Sequence, residues 1–462
     1  MMFSRISNGT PLLSVMLLVT AAVTVCALTE QEPVSFRTEI APLLLAQCQG
    51  CHGAEDAKGE YRLDSYSELM RAPKNEPPRV QSGNPSDSLF LQLLVAEDAD
   101  DRMPQKSAPL EPRQVELVRR WIAEGALFDA ENPNSALVQI IPVRRHDLAP
   151  EKYPRPLPIT ALAFSPDGSE LAASGLREIT IWNSATGQLI RRIPNMVQRT
   201  FALDWSPNGK QLAAAGGIPG ELGEVRVFNP VNGKLLAVAH RAGDVALDVR
   251  FNHAGSMFAV ADAENRITLY RAVDFSRLRL IDNHADWVLA LAWSPDGKFL
   301  VSASRDKTAK IFEAKSGETI STYGGHQKEV FGVAFRSDGN QVYSTGRDAK
   351  IHVWKAGSAD TTGKRFGAER VADIGGLGPA MARPLMSGDQ FFSHANSGKV
   401  RQHDAASRKV LREFDGAVDW TQSLAHQAAV NLLAAGSHNG QVRIWETQTG
   451  KKLSQFVASP GR

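Results

Sequence analysis

The sequence predicts a chain of two modules: a small all-α module first, then a larger all-β ring of repeated sheets. Three observations predict it. Between residues 35 and 122, apolar residues recur at helical spacing. From about residue 158 onward they alternate at strand spacing, in copies about 42 residues apart. Between these regions lie Pro133, Pro142, Pro150, Pro154 and Pro156, which favour an extended spacer over residues 132–157. The 462 residues exceed what one ordinary domain needs.

The N-terminus carries Arg5 and then an uncharged run from Pro11 to Thr29. Leu12 to Val19 read as the apolar region of a secretory signal, and Val25-Cys26-Ala27 permits cleavage after Ala27. A signal over residues 1–27 is therefore expected. An uncleaved anchor is the alternative, since the 19 uncharged residues approach the ~20 of a membrane span. A lipoprotein signal at Cys26 fits less well, because Val25 is bulky. The cysteines are Cys26, Cys48 and Cys51, so removing the signal leaves two thiols and no disulfide framework.

Charge is unevenly spread. Residues 30–131 carry 19 acidic against 11 basic side chains, a net −8, whereas residues 132–462 carry +9 within a chain total of +2. Attraction between the modules, separate partners of opposite charge, and two unrelated solvated surfaces all fit. No basic run with interleaved aromatics occurs, so nucleic-acid binding is not expected.

In the first module, Phe36, Ile40, Leu43, Leu44 and Leu45 predict a helix over Ser35 to Gln47. It leads into Cys48-Gln49-Gly50-Cys51-His52, the C-x-x-C-H pattern of c-type haem attachment. Two thiols three residues apart can face one porphyrin edge, and the adjacent His52 can reach the iron. A zinc site would need a second ligand cluster, and a redox dithiol would want a βαβ context; the sequence has neither. Further helices are expected over Ser67 to Arg71, from Pro85 through Val95, and from Pro112, which suits a first helical position, to Gly125. The second iron ligand is expected to be Met103, in the irregular Asp101-Arg102-Met103-Pro104 segment. Met70, on a short helical pattern, is expected only to pack.

Several motifs in order carry a family resemblance. They are Phe36, Ile40, Pro42-Leu43-Leu44, Cys48 to Gly53, Arg62 to Ser65, Gly83-Asn84-Pro85, Ser88-Leu89, Arg102-Met103-Pro104 and Arg120-Trp121-Ile122 with Gly125-Ala126. Residues 33–131 thus resemble the cytochrome c domain at the N-termini of many planctomycete proteins. The resemblance implies a small all-α, class I-like domain with its first and last helices packed together. It also implies one covalent haem c on Cys48 and Cys51, with His52 and Met103 as axial ligands. Such attachment implies an exported, periplasmic or cell-envelope protein.

Beyond the linker, the clearest repeat runs Val288 to Trp293, turns at Ser294-Pro295-Asp296-Gly297, and continues through Phe299 to Ser304 and Ala309 to Phe312. Related copies start near Ile159, Phe201, Val245, Val330, Phe391 and Ser423. Their third strands end at Trp182, Phe228, Tyr270, Phe312, Trp354, His403 and Trp445, spaced 46, 42, 42, 42, 49 and 42 residues. A four-stranded propeller blade takes about 40–45 residues, so residues 158–462 predict seven blades. The copies resemble WD repeats. Gly325-His326, Ser344, Asp348 and Trp354 match that family's tetrad, and His284, Ser302 and Asp306 match most of it. The resemblance implies structural rather than metal-binding roles for His284 and His326. The apolar run Ala136 to Ile141 reads as a strand that could dock on the propeller edge, and Lys451 to Val457 as the last outer strand.

The expectation is an exported monohaem c-type cytochrome that transfers single electrons to a redox partner protein. The WD40 propeller would dock other proteins, as a scaffold rather than a catalyst. Membrane attachment through the N-terminus stays open. The alternatives are a haem-containing subunit of a periplasmic oxidoreductase, with its active site on the propeller or a partner, and a haem-based sensor.

Overall fold

The computed structural model describes residues 32–49, 51–53, 57–105, 109–356, 368–375, 384–394, 398–414 and 419–461, and the backbone of 358–359 and 365–366. The expected signal or anchor lies outside the described residues. No described helix is long and apolar enough to cross a membrane.

A π-helical turn, Phe36–Ile40, runs into helix α1, Ala41–Gln47. Ser35 caps the turn by accepting from the Thr38 N–H. Helices α2 (Tyr66–Leu69), α3 (Leu89–Leu94) and α4 (Pro112–Ala123) follow. Helix α4 begins as expected: Pro112 takes the first position, and Glu111 and Gln114 form a reciprocal capping box. Its buried stripe, Val118, Trp121 and Ile122, closes on the first helical segment, with the Phe36 and Trp121 rings 5.5 Å apart. Leu44, Leu63, Leu69 and Leu94 fill the core between them.

The run Ala136 to Ile141 is not a strand. Leu137–Ile140 forms a short helix, α5. Short apolar runs do not distinguish strand from helix by periodicity. Here every blade already owns four strands, so no sheet edge needs this segment. Instead Leu137 enters the core of the helical module and Val138 a core within the propeller.

Residues 162–457 form seven four-stranded antiparallel sheets. Their inner strands are Leu162–Phe164, Arg199–Trp205, Ala246–Phe251, Val288–Trp293, Val330–Phe335, Leu385–Ser387 and Thr421–Gln427. Each inner strand packs beside the next, and the seventh packs beside the first, so the ring is closed. Blade 7 takes its outer strand from Lys452–Val457. Closure therefore joins two complete blades by packing. Ile159 sits buried in their shared core, and its backbone bonds blade 7 through Ser437 and Ser423.

The irregular repeat spacings have local causes. Blade 2 lengthens its second and third strands, Leu212–Ile218 and Leu222–Phe228. Blade 5 carries an extra hairpin, Ser358–Ala359 with Arg365–Phe366, before its outer strand Arg370–Ile374. The sixth copy starts earlier than expected. Phe391 lies on its second strand, Gln390–His394, and Leu385–Ser387 precedes it.

The tetrads hold their blades internally. His326 Nδ1 lies 2.9 Å from Asp348 and Nε2 lies 2.8 Å from Ser344 Oγ, which accepts from Trp354 Nε1 at 3.1 Å. His284 repeats this with Asp306 at 2.7 Å and Ser302 at 2.6 Å. Burial pushes the Asp306 carboxyl up, but hydrogen bonds from His284 and Thr308 outweigh it and hold the group well below the carboxylate range. Blade 6 uses His403 where blades 1, 5 and 7 place Trp, 2.9 Å from Ser393 Oγ.

Burial holds His352, His394, His403 and His426 neutral, with pKa values near 4. An unfolded imidazole titrates near 6.5. Between those values the unfolded chain binds more protons, so this stability is full above about pH 6.5 and drains as pH falls through 4. Thermal melts of the propeller should show Tm falling across that window. A Tm unchanged down to pH 4 would mean these imidazoles accept charge in place.

Candidate functional site

Helix α1 delivers the C-x-x-C-H motif. Cys48 caps it, donating its N–H to the Leu44 carbonyl at 3.0 Å. The N–H groups of Cys51 and His52 both donate to the Cys48 carbonyl at 3.2 Å, closing one further turn. The Cys48 side chain is partly buried and Cys51 is exposed, and both thiols are free. Burial raises the Cys48 thiol to about 12, with the Arg277 guanidinium opposing that shift.

His52 is oriented by backbone. Its imidazole Nδ1 lies 3.0 Å from the Tyr61 carbonyl oxygen. A carbonyl only accepts, so Nδ1 carries the hydrogen and Nε2 carries the lone pair. A ring nitrogen anchored to a carbonyl, with the other left basic, is the usual arrangement of a metal-ligating histidine. Tyr61 is fixed in turn: its hydroxyl donates to the Leu69 carbonyl at 2.6 Å, and Arg79 lies over its ring at 5.2 Å.

Cys48, Cys51 and His52 line one cavity of about 510 Å³ together with Met103. That size falls within the about 300–1,000 Å³ of small-molecule and cofactor sites. Leu63, Phe90, Leu93 and Leu94 supply apolar wall, and Lys58 and Arg79 supply positive charge. Met103 comes from the segment between α3 and α4, held by its N–H to the Leu93 carbonyl at 2.9 Å. The four residues singled out from the sequence thus meet at one cavity. Met70 ends α2, packs on the module's core and does not line it. Reading the motif alone misses Tyr61 and Arg79, whose roles come from chain folding back over residues 57–63 and 79.

His326, Asp348 and His352 lie close enough to suggest a metal site. Both nitrogens of His326 are already bonded within the blade, so the group is structural.

Residues 48–107 match the family model described as planctomycete cytochrome C. Residues 154–183, 275–313, 317–355 and 408–446 match the WD domain, G-beta repeat. The chain thus carries a segment similar to planctomycete cytochrome C, followed by a seven-bladed propeller with four repeats similar to the WD domain. Protein FIZZY-RELATED 3 of Arabidopsis thaliana is 28% identical over 150 residues, 32% of this chain and 31% of that protein. The B-type cell cycle switch protein ccs52B of Medicago truncatula is 24% identical over 148 residues, 32% of this chain and 30% of that protein. The Chromatin assembly factor 1 subunit FAS2 homolog of Oryza sativa subsp. japonica is 27% identical over 169 residues, 32% of each. The chain therefore spans about a third of the length of these relatives.

The Cys48–His52 loop abuts the propeller. A Cβ at Gly53 would sit 3.0 Å from the Gln49 carbonyl oxygen and 3.2 Å from that of Arg277. Gly53→Val should therefore push the loop off blade 3 and lower stability by about 1–3 kcal/mol, read from the denaturation midpoint. A variant as stable as the parent would show that this contact yields freely.

Proposed function

We propose that this chain is an exported monohaem c-type cytochrome that transfers single electrons, with its WD-repeat propeller as the protein-docking scaffold. The observation that carries this reading is the donor set on one cavity: two free thiols, an imidazole with Nε2 basic, and a thioether. These residues fit a covalently held haem. Cys48 and Cys51 would take the thioether bonds, and His52 and Met103 the two axial positions. Bound there, the haem supplies a reversible one-electron couple. The protein's part is to hold and shield it. The Tyr61 carbonyl fixes the His52 tautomer and the orientation of its ring. The apolar wall of Leu63, Phe90, Leu93 and Leu94 keeps water from the cavity. Lys58 and Arg79, on the cavity lining, would offer positive charge to the carboxylates of a bound haem. The match to a cytochrome C family model supports haem c in general terms. The propeller match supports protein partners, because closed WD rings present loops and edges rather than reacting groups. The signal-like N-terminus supports export.

Visible and near-infrared spectra of the reduced protein, with and without carbon monoxide, test the ligand assignment. The wild-type protein should be low-spin and unaffected by the gas. Met103→Ala should open the iron, bind carbon monoxide and lower the potential. A Met103→Ala spectrum identical to the parent's would remove Met103 from the ligand set. A wild-type protein that binds the gas would favour the sensor or oxidoreductase reading.

A further inference from the structure

The attachment loop faces its own cavity on one side and blade 3 on another. Arg277 opens the outer strand of that blade, Arg277–Asp282. Its carbonyl and the Gln49 carbonyl both approach Gly53 within about 3 Å of a Cβ position, so propeller and loop meet there. Leu45, on the turn of α1 before Cys48, packs against both the helical core and a propeller core. The joint is therefore in contact on both flanks of the motif.

Two polar groups at this joint are unsatisfied. Gln49, between the two cysteines, is 1% exposed, and neither of its amide atoms has a hydrogen-bond partner among the described residues. Arg277 Nε is buried without a partner among the described residues. A buried guanidinium ordinarily sits on a carboxylate. The described groups that feel this one include Tyr270, Cys48 and Cys51. Burial keeps the Tyr270 hydroxyl protonated, and in the haem-loaded chain Cys48 and Cys51 would be uncharged thioethers. None of these three groups then offers a negative charge to Arg277 beside the loop.

We propose that the propeller is a working part of the haem site: Arg277 holds a fixed positive charge behind the Cys48–Cys51 loop and raises the reduction potential of the haem attached there. The inference rests on the haem reading above. Its physics is Coulombic. Ferric haem carries one more positive charge than ferrous haem, so a nearby cation in a partly buried setting disfavours the oxidised form. A haem segment in solution would lack this term, and a partner that moves blade 3 would change it. Arg277 is thus a positioning and tuning residue rather than a ligand.

The test is a redox titration of the full-length holoprotein, made in a host that attaches c haem, for the wild type, Arg277→Gln and Arg277→Lys. The Gln variant should raise the ferric-to-ferrous ratio at a fixed potential on the order of tenfold, about 59 mV for one electron. The Lys variant keeps the charge and should stay within about twofold of wild type on the same scale. A Gln variant with the wild-type potential, or equal falls in both variants, would overturn the assignment. If the wild-type protein attaches no haem at all, the functional reading fails and takes this inference with it.

Discussion

Two neighbouring side chains on a helix of one turn join the helical module to the propeller. Leu137 is fully buried in the helical module and Val138 is 2% exposed in a propeller core. Burying an aliphatic side chain of this size contributes roughly 1.5–3 kcal/mol. The consequence reaches the cavity. Helix α1 packs on α5, so the segment that carries the cysteines is held against the outer strands of blades 2 and 3. A proline-rich tether alone would have left the two modules independent.

The ring supplies the stiffness that makes such a contact useful. Blade 5 is locked internally by a His–Ser–Trp–Asp set, blade 4 by His–Ser–Asp, and blade 6 by a His–Ser bond. Among the described residues each blade takes its four strands in chain order, so closure depends on Ile159 and the flanks of blades 1 and 7. The buried imidazoles of blades 5 to 7 satisfy packing while staying neutral, which ties the ring's stability to pH.

Much of this was legible in the sequence because its signals are local. The C-x-x-C-H spacing places three side chains within one turn, and Pro112 marks the start of α4. The recurrence of Trp, Phe, Tyr or His at the third-strand end counts the blades. The sixth blade was hard to place because its inner strand, Leu385–Ser387, has three residues and weak alternation. Segment 136–141 was misread as a strand because its meaning is tertiary: two cores pull adjacent side chains in different directions. Arg277 was invisible for the same reason. It lies 226 residues beyond Cys51, and no short pattern announces a contact at that distance.

We propose that Cys48 and Cys51 hold a haem covalently. The most direct measurement is the intact mass of the denatured protein, purified from the periplasm of a host that attaches c haem. The account predicts a gain of one haem per chain that survives denaturation and disappears when both cysteines are changed to alanine. A chain recovered without that gain, beside a control cytochrome that carries its haem, would contradict it.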